Sequence, residues 1–356
     1  MGRWVTIGLL LIFAAPFTAG AATAVPALAD IAGYSGPDRM DRLIAGARKE
    51  GDVMLYTTLT APYLDPIIAD FKQKYGVTIK YWRGSEATLL QRVLSEARGG
   101  RFAWDIVETL APEVEAIRRN KLLQAVHSPF QKNEIIPNLA PSHREWTADR
   151  LYLYVVAYNT NQFKKDDLPK TLEDLLDPRW KGKIGMEAKN WDWFAEIAKE
   201  MGEKKGLDFF RKFVSVNGIQ VRSGHTKLAG LVAAGEIPIA LGLFSHGVDQ
   251  LRAKDAPIEW AVIGTPIVNM AATGVSRKAP HPYAALLFYE YLLGEDGQKI
   301  LRKTHLVPAM KGIDSPLSRL VEEHRPVTVI QPSLVLDEYD KWYGLYQSIV
   351  VDKSSR

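Results

Sequence analysis

The chain has 356 residues, 47% of them hydrophobic and 24% charged, with a net charge of +4. These are ordinary globular proportions, which exclude a disordered, collagen-like or low-complexity chain. There is no cysteine, which also excludes disulfides, thiolate metal sites, a thiol nucleophile and a lipid anchor on a modified thiol.

The first element reads as a leader. Met1-Gly2-Arg3-Trp4 carries one early positive charge, and Val5 to Phe17 is an apolar run without a charged residue. Small residues follow, with Ala19-Gly20-Ala21 and Ala27-Leu28-Ala29 as Ala-x-Ala patterns. That order describes a secretory signal peptide, and the apolar run falls short of the roughly 20 residues of a membrane-spanning helix. Residues 1–29 are read as the leader, with cleavage after Ala29 preferred over Ala21, and the periplasm is the expected destination. Taking 29 residues from 356 leaves 327, enough for two domains held by core burial without disulfides. Basic and acidic residues are interspersed, with no basic block interleaved with aromatics, so nucleic acid is not an expected partner.

Strand-like and helix-like stretches then alternate. Met40, Leu43, Ile44 and Ala47 share one helical face, stopped by Gly51. Val53 to Thr58 reads as a buried strand, and Leu64, Ile67, Ile68, Phe71 and Tyr75 as the inner face of a helix closed by Gly76. Val77 to Tyr81 is a strand, residues 86–98 form a helix ended by Gly99-Gly100, and Asp105 to Glu108 is a short buried strand. This alternation predicts an α/β fold, its sheet mostly parallel with helices on both faces.

A second unit begins near Tyr152. Leu151 to Tyr158 and Lys183 to Met186 read as strands, followed by helices from Trp191 and from Gly206. Ile237 to Leu241 and Pro257 to Ile263 are further strands, with helices at 282–293 and 295–302. Val335, Tyr339, Trp342, Tyr346 and Ile349 form a stripe on one last helix, expected to dock on a domain.

Motifs of catalysis are missing. The chain has no Gly-x-Ser-x-Gly, no His-Glu-x-x-His and no phosphate loop. His127, His143, His225, His246, His281, His305 and His324 are scattered without metal-ligand spacing. No enzyme activity, resident metal or cofactor is expected.

Several segments together resemble a known family. They are Gly51 to Leu59; Arg83-Gly84-Ser85-Glu86-Ala87 leading to Leu94 to Arg98 and Trp104 to Val107; Val156 to Thr160; Leu175-Leu176-Asp177-Pro178-Arg179-Trp180-Lys181-Gly182-Lys183-Ile184-Gly185; and Ala233 to Ala240. Their succession is similar to the periplasmic solute-binding proteins of ABC importers, in the ferric-iron-binding branch. The resemblance implies a two-lobed periplasmic-binding-protein fold of type II, two mixed sheets flanked by helices, with ligand in a hinged cleft. Residues 30–155 plus 266–310 are then expected as one lobe, and 156–265 plus 311–356 as the other with the C-terminal helix. The lobes are expected to be joined by crossings at Leu151–Asn159 and Thr265–Gly274. It also implies a monomer that docks on a membrane permease. Iron-binding members use two adjacent tyrosines, which fall on or near Ser245-His246 here, and a histidine and glutamate that fall near Thr60 and Leu110. That set lacks the anionic oxygens that a hard ferric ion favours.

Ligand contacts in open α/β sheets come from the carboxyl ends of strands and from helix N-termini. The candidates are Thr57 and Thr58, Ser85 and Glu86, Glu187, Asn190 and Trp191, Arg222, and Phe244, Ser245 and His246. Ser85 and Asn190 read equally as N-caps, and Trp191 and Phe244 equally as core. The leading expectation is a receptor for a small polar or anionic solute. The alternatives are ferric iron held by carboxylates such as Glu86 or Glu187 with a carried anion, and a secreted hydrolase whose site follows no motif.

Overall fold

The computed structural model describes residues 28–136, 139–323 and 326–354; residues 1–27 of the expected leader, and His324, lie outside them. Among the described residues the apolar runs become eleven strands: β1 (Asp52–Thr57), β2 (Thr78–Arg83), β3 (Ile106–Leu110), β4 (Thr147–Asn159), β5 (Ile184–Glu187), β6 (Gln220–Arg222), β7 (Ile239–Phe244), β8 (Ile258–Ala261), β9 (Ile267–Val275), β10 (Val307–Pro308) and β11 (Thr328–Val329). They form one curled sheet in the order β2-β1-β3-β9-β4-β7-β5-β6, with β8 and β10 on β4 and β11 on β9.

β1, β2 and β3 are mutually parallel, as are β5, β6 and β7. Between them the helices Ala61–Tyr75 and Glu86–Arg98 return the chain, each burying the face that its spacing of three and four residues lines up. β4 and β9 run antiparallel to each other, β9 to β3 and β4 to β7, while the short β11 pairs parallel with β9. The sheet is therefore mixed rather than mostly parallel, because two strands must carry the chain out of the first half and back.

β4 is the spine. Its first half, Thr147 to Leu153, pairs with β9, and Tyr154 to Tyr158 pair with β7. Side chains alternate across a strand. Leu151, Leu153, Val155 and Ala157 therefore enter one core with Val53, Leu55, Phe71, Val232 and Phe288, while Tyr154, Val156 and Tyr158 enter a second with Trp180, Phe194, Phe210 and Trp342.

The C-terminal stripe is not one helix. It divides into Pro332–Asp337, Tyr339–Tyr346 and a five-residue π turn Gln347–Val351. The break falls where Asp337 is drawn to Arg119 in a two-pronged ion pair at 2.6 and 3.0 Å, while Glu338 turns to Lys199 and the Trp342 indole. Trp342, Tyr346 and Ile349 are buried as expected, but Tyr339 is 43% exposed.

A buried ion pair fastens the start of the described chain to the first half. Arg39 Nη2 lies 2.7 Å from Glu290 Oε1, with both side chains at most 5% exposed. Arg39 also donates to the carbonyls of Ile31 and Tyr34, and Ser128 donates to the other Glu290 oxygen. Removing one partner strands the other charge in the core. Arg39→Met should lower unfolding stability by about 3–5 kcal/mol, measured by urea denaturation, and more than Arg119→Met, which removes only half-exposed pairs.

Candidate functional site

Two irregularities shape the centre of β4. The first inserts Asp149 as an extra residue between Ala148, opposite Ala272, and Arg150, opposite Ala271. A bulge re-aims the side chains beside it. Here it places Asp149 and Arg150 with Glu108 in a fully buried cluster, each at most 1% exposed. Arg150 Nη1 donates to Glu108 and, at 3.1 Å, to Asp149 Oδ2. Its Nε and Nη2 donate to the Tyr152 hydroxyl at 3.2 and 3.0 Å. Glu108 also accepts from the Thr57 hydroxyl, tying the end of β1 to the cluster.

The second irregularity lies in β7. Val155 faces Leu243 and Val156 faces Leu241, so Gly242 is the extra residue. Its φ is +71°, and a Cβ there would stand 2.3 Å from Asn190 Nδ2, so only glycine fits. Asn190 Nδ2 donates to the Gly242 carbonyl at 2.8 Å and holds the bulge. Beyond it, Phe244, Ser245 and His246 lead into the helix Ser245–Arg252.

These two features bring rings together. Phe244 lies between His225 (centroids 4.2 Å apart), Tyr154 (4.8 Å) and Tyr152 (5.1 Å). His246 packs on Tyr152 at 5.3 Å and, across the halves, edge-on against Tyr63 at 6.0 Å. Gln250 of the same helix donates to the Tyr63 hydroxyl at 2.7 Å. Helix Ala61–Tyr75 thus meets helix Ser245–Arg252 over the site. Burial lowers the His246 pKa to about 3, aided by the Arg150 charge, and burial likewise lowers that of His225. Both imidazoles are neutral at physiological pH. His225 Nδ1 and Ser245 Oγ are buried without a hydrogen-bond partner among the described residues.

The sequence candidates separate accordingly. Phe244, Ser245 and His246 gather at the candidate site, and buried Thr57 braces it through Glu108. Thr58 reaches the Thr109 hydroxyl at 3.3 Å beside it. Glu187 is buried, accepting from the N–H groups of Lys189 and Gly224, so its charge ties two loops together. Asn190 stands at the N-cap position of helix Trp191–Glu200 but makes no side-chain cap bond, its side chain holding the bulge instead. Trp191 packs edge-on against Tyr339, under the C-terminal helices, so it is core and not a ring of the site. Ser85 caps its helix by accepting from Thr88 N–H and is exposed. Glu86 lies near Glu113, whose carboxyl is pushed up to about 7, mainly by burial. Arg222 folds back onto Val221 O and Gln220 Oε1. Sequence reasoning missed Tyr63, Tyr152 and Arg150. The signal available was that Arg150 and Tyr152 interrupt or flank an otherwise apolar crossing strand.

Two halves joined by a pair of crossing strands, with polar and aromatic groups gathered where they meet, define a binding protein of the two-lobed periplasmic type. The chain belongs to the bacterial extracellular solute-binding proteins, whose family model matches residues 66–323. Among its relatives, iron uptake protein A1 of Synechocystis sp. is 23% identical over 292 residues, covering 77% of this chain and 79% of that protein. The Fe(3+)-binding periplasmic protein of Serratia marcescens is 21% identical, covering 75% and 81%. Iron-bound HitA from Pseudomonas aeruginosa superimposes with a TM-score of 0.71 at 23% identity, covering 84% of this chain and 99% of that one. AfuA from Actinobacillus pleuropneumoniae, solved with fructose-6-phosphate, gives 0.69 at 20% identity, covering 85% and 99%.

The depressed His246 pKa has a stability consequence. The unfolded chain protonates this residue near pH 6.5, whereas the folded protein resists until about 3, so stability present above pH 6.5 is lost on acidification. His246→Asn should flatten the fall in unfolding free energy between pH 6.5 and 4, which in the wild type reaches at most about 1.4 kcal/mol per pH unit from this group. Urea titrations at several pH values measure it.

Proposed function

We propose that this protein is exported, captures a small anionic organic solute between its lobes as a monomer, and presents it to the permease of an ABC importer. One observation carries the sign of the solute. The Tyr152 hydroxyl accepts two N–H bonds from Arg150, so its own proton is directed to an acceptor outside the arginine. A phenol has one proton to give, and the arginine behind it polarises that proton toward a negative group.

The surroundings agree. The first turns of helices His225–Ala233 and Ser245–Arg252 start beside it, and helix N-termini favour anions. Ser245 Oγ and His225 Nδ1 supply two further polar atoms. The carboxylates that would favour a cation are engaged elsewhere: Glu108 on Arg150 and Thr57, Glu187 on backbone N–H groups. Phe244, Tyr152 and His246 offer flat faces for an apolar or ring-shaped body. Closure then amounts to helix Ala61–Tyr75 swinging onto helix Ser245–Arg252 about β4 and β9, fastened by Tyr63 and Gln250.

A thermal-shift screen of the mature protein against carboxylates, phosphate esters, phosphonates, amines and ferric citrate tests the reading. An anionic compound should raise stability by a few kcal/mol at saturation. A shift with amines alone, or a visible phenolate band on ferric loading, contradicts it and supports a cation receptor. With the anion in hand, Tyr152→Phe should weaken binding about tenfold to a hundredfold, as for one hydrogen bond to a charged group. The Ser245→Ala, His246→Ala double variant should weaken it similarly.

A further inference from the structure

The charges behind Tyr152 do not balance. Arg150 brings one positive charge, and Glu108 and Asp149 bring two negative ones, all at most 1% exposed. Both carboxylates lean on the same guanidinium nitrogen, Nη1. A buried charge without a partner is expensive, and the usual escape is a proton.

The two acids are not equivalent. Glu108 has Arg150 on one oxygen and the Thr57 hydroxyl on the other. Asp149 has only the longer contacts to Arg150 Nη1, at 3.1 and 3.4 Å. Among the described residues, the groups facing Asp149 offer no second cation. On β4 they are Arg150 and Tyr152, on β3 Glu108, and on helix Pro282–Leu293 the hydroxyl of Tyr289. Behind Tyr289 stand Glu290 and Arg39, which are paired with each other. Gln298, which is neutral, holds the Asp149 carbonyl. His246 lies beyond Arg150 and carries no charge near neutral pH.

We infer that Asp149 is a specificity-determining residue of the solute site: it takes a proton from water in the folded protein, and that proton sets how much of the Arg150 charge Tyr152 can offer to an anion. With Asp149 protonated, Arg150 answers to Glu108 alone and the cluster is neutral. With Asp149 ionised, the cluster is negative and repels an anion on Tyr152. Anion affinity therefore rises as pH falls through the Asp149 titration, and a cation shows the reverse. Burial pushes the Asp149 carboxyl up to about 7, which puts this titration in the physiological range. The inference builds on the anion reading for its direction only; the proton on Asp149 stands independently of it.

The first arm of the test needs no solute. Protein labelled with 13C at the aspartate carboxyl carbons is titrated from pH 4 to 9. Asp192, buried beside the Tyr154 hydroxyl, is pushed up to about 6 and is identified with Asp192→Asn. One further carboxyl should titrate near neutral in that variant and vanish in Asp149→Asn. If no aspartate resonance of Asp192→Asn moves above about pH 5, the inference is overturned. Unfolding gives the same answer through the linkage. A raised carboxyl pKa means stability is lost as pH rises toward neutral, so the urea midpoint of Asp149→Asn should gain on wild type between pH 5 and 8, whereas a pH-independent difference overturns it.

The second arm uses inorganic sulfate, a dianion throughout this range, as the probe anion. Its thermal shift should be larger at pH 6 than at pH 8 in wild type and equal at both in Asp149→Asn, referred to chloride at matched ionic strength. The same pH dependence in both proteins overturns the coupling. No shift at either pH, with the carboxyl titration present, overturns the anion coupling and leaves the proton on Asp149 established.

Discussion

The constraint on which this structure turns is that one long strand, β4, must pass buried through the join of both lobes while carrying two charged residues, Asp149 and Arg150, into it. A strand between two cores has no solvent to share its charges with. Arg150 therefore has to be neutralised by what lies beside it, and Glu108 in the middle of β3 does that. This requirement fixes more than the strand. Glu108 holds Thr57 and with it the end of β1, and Arg150 holds Tyr152. The interior ion cluster is thus also the mount of the cleft. Ion pairs of this kind add little net stability over apolar packing but are costly to break, which suits a part whose task is to keep geometry.

The two bulges do the aiming. Without the extra residue at Asp149, the alternation of β4 would send Arg150 to the opposite face. Without Gly242, β7 would run on in register and carry Phe244 past Tyr152. Each bulge is held by a neighbour from a different element, Arg150 by Glu108 and Gly242 by Asn190. Movement about β4 and β9 can then bring Tyr63 and Gln250 together while the rings on β4 and β7 stay fixed relative to each other. That division between a rigid floor and a moving wall is what a receptor needs in order to report occupancy to a second protein.

Much of the fold was legible in the sequence because it rests on periodicity. The helix faces ending at Gly51 and Gly76, and the apolar runs of β1, β3, β5 and β7, follow from spacing alone. β6, β10 and β11 were not legible, since two or three residues carry no period. The order of parallel and antiparallel pairs was hidden too, because it depends on where the chain re-crosses. At the site, Ser245 and His246 were reachable as residues following a strand. Tyr152 and Arg150 were not, because a ring and a cation in a strand read as ordinary alternation until a bulge is known. Glu187 was a ligand candidate in the sequence and proved to be engaged, because only three dimensions show which backbone N–H groups reach it. Trp191 illustrates the opposite case: its place at a helix start suggested the cleft, while its size and apolarity suited the core under Tyr339.

The central claim is that the solute is an anion whose acceptor atom takes the Tyr152 proton. The most direct test is a structure of the protein isolated from its own cells with whatever solute it retains, paired with mass spectrometry of that solute. The expected solute is a small organic anion with an oxygen within hydrogen-bond distance of Tyr152 Oη and a body against Phe244 and His246. A ferric ion bound to phenolate oxygens, or a solute that leaves Tyr152 untouched, would contradict it.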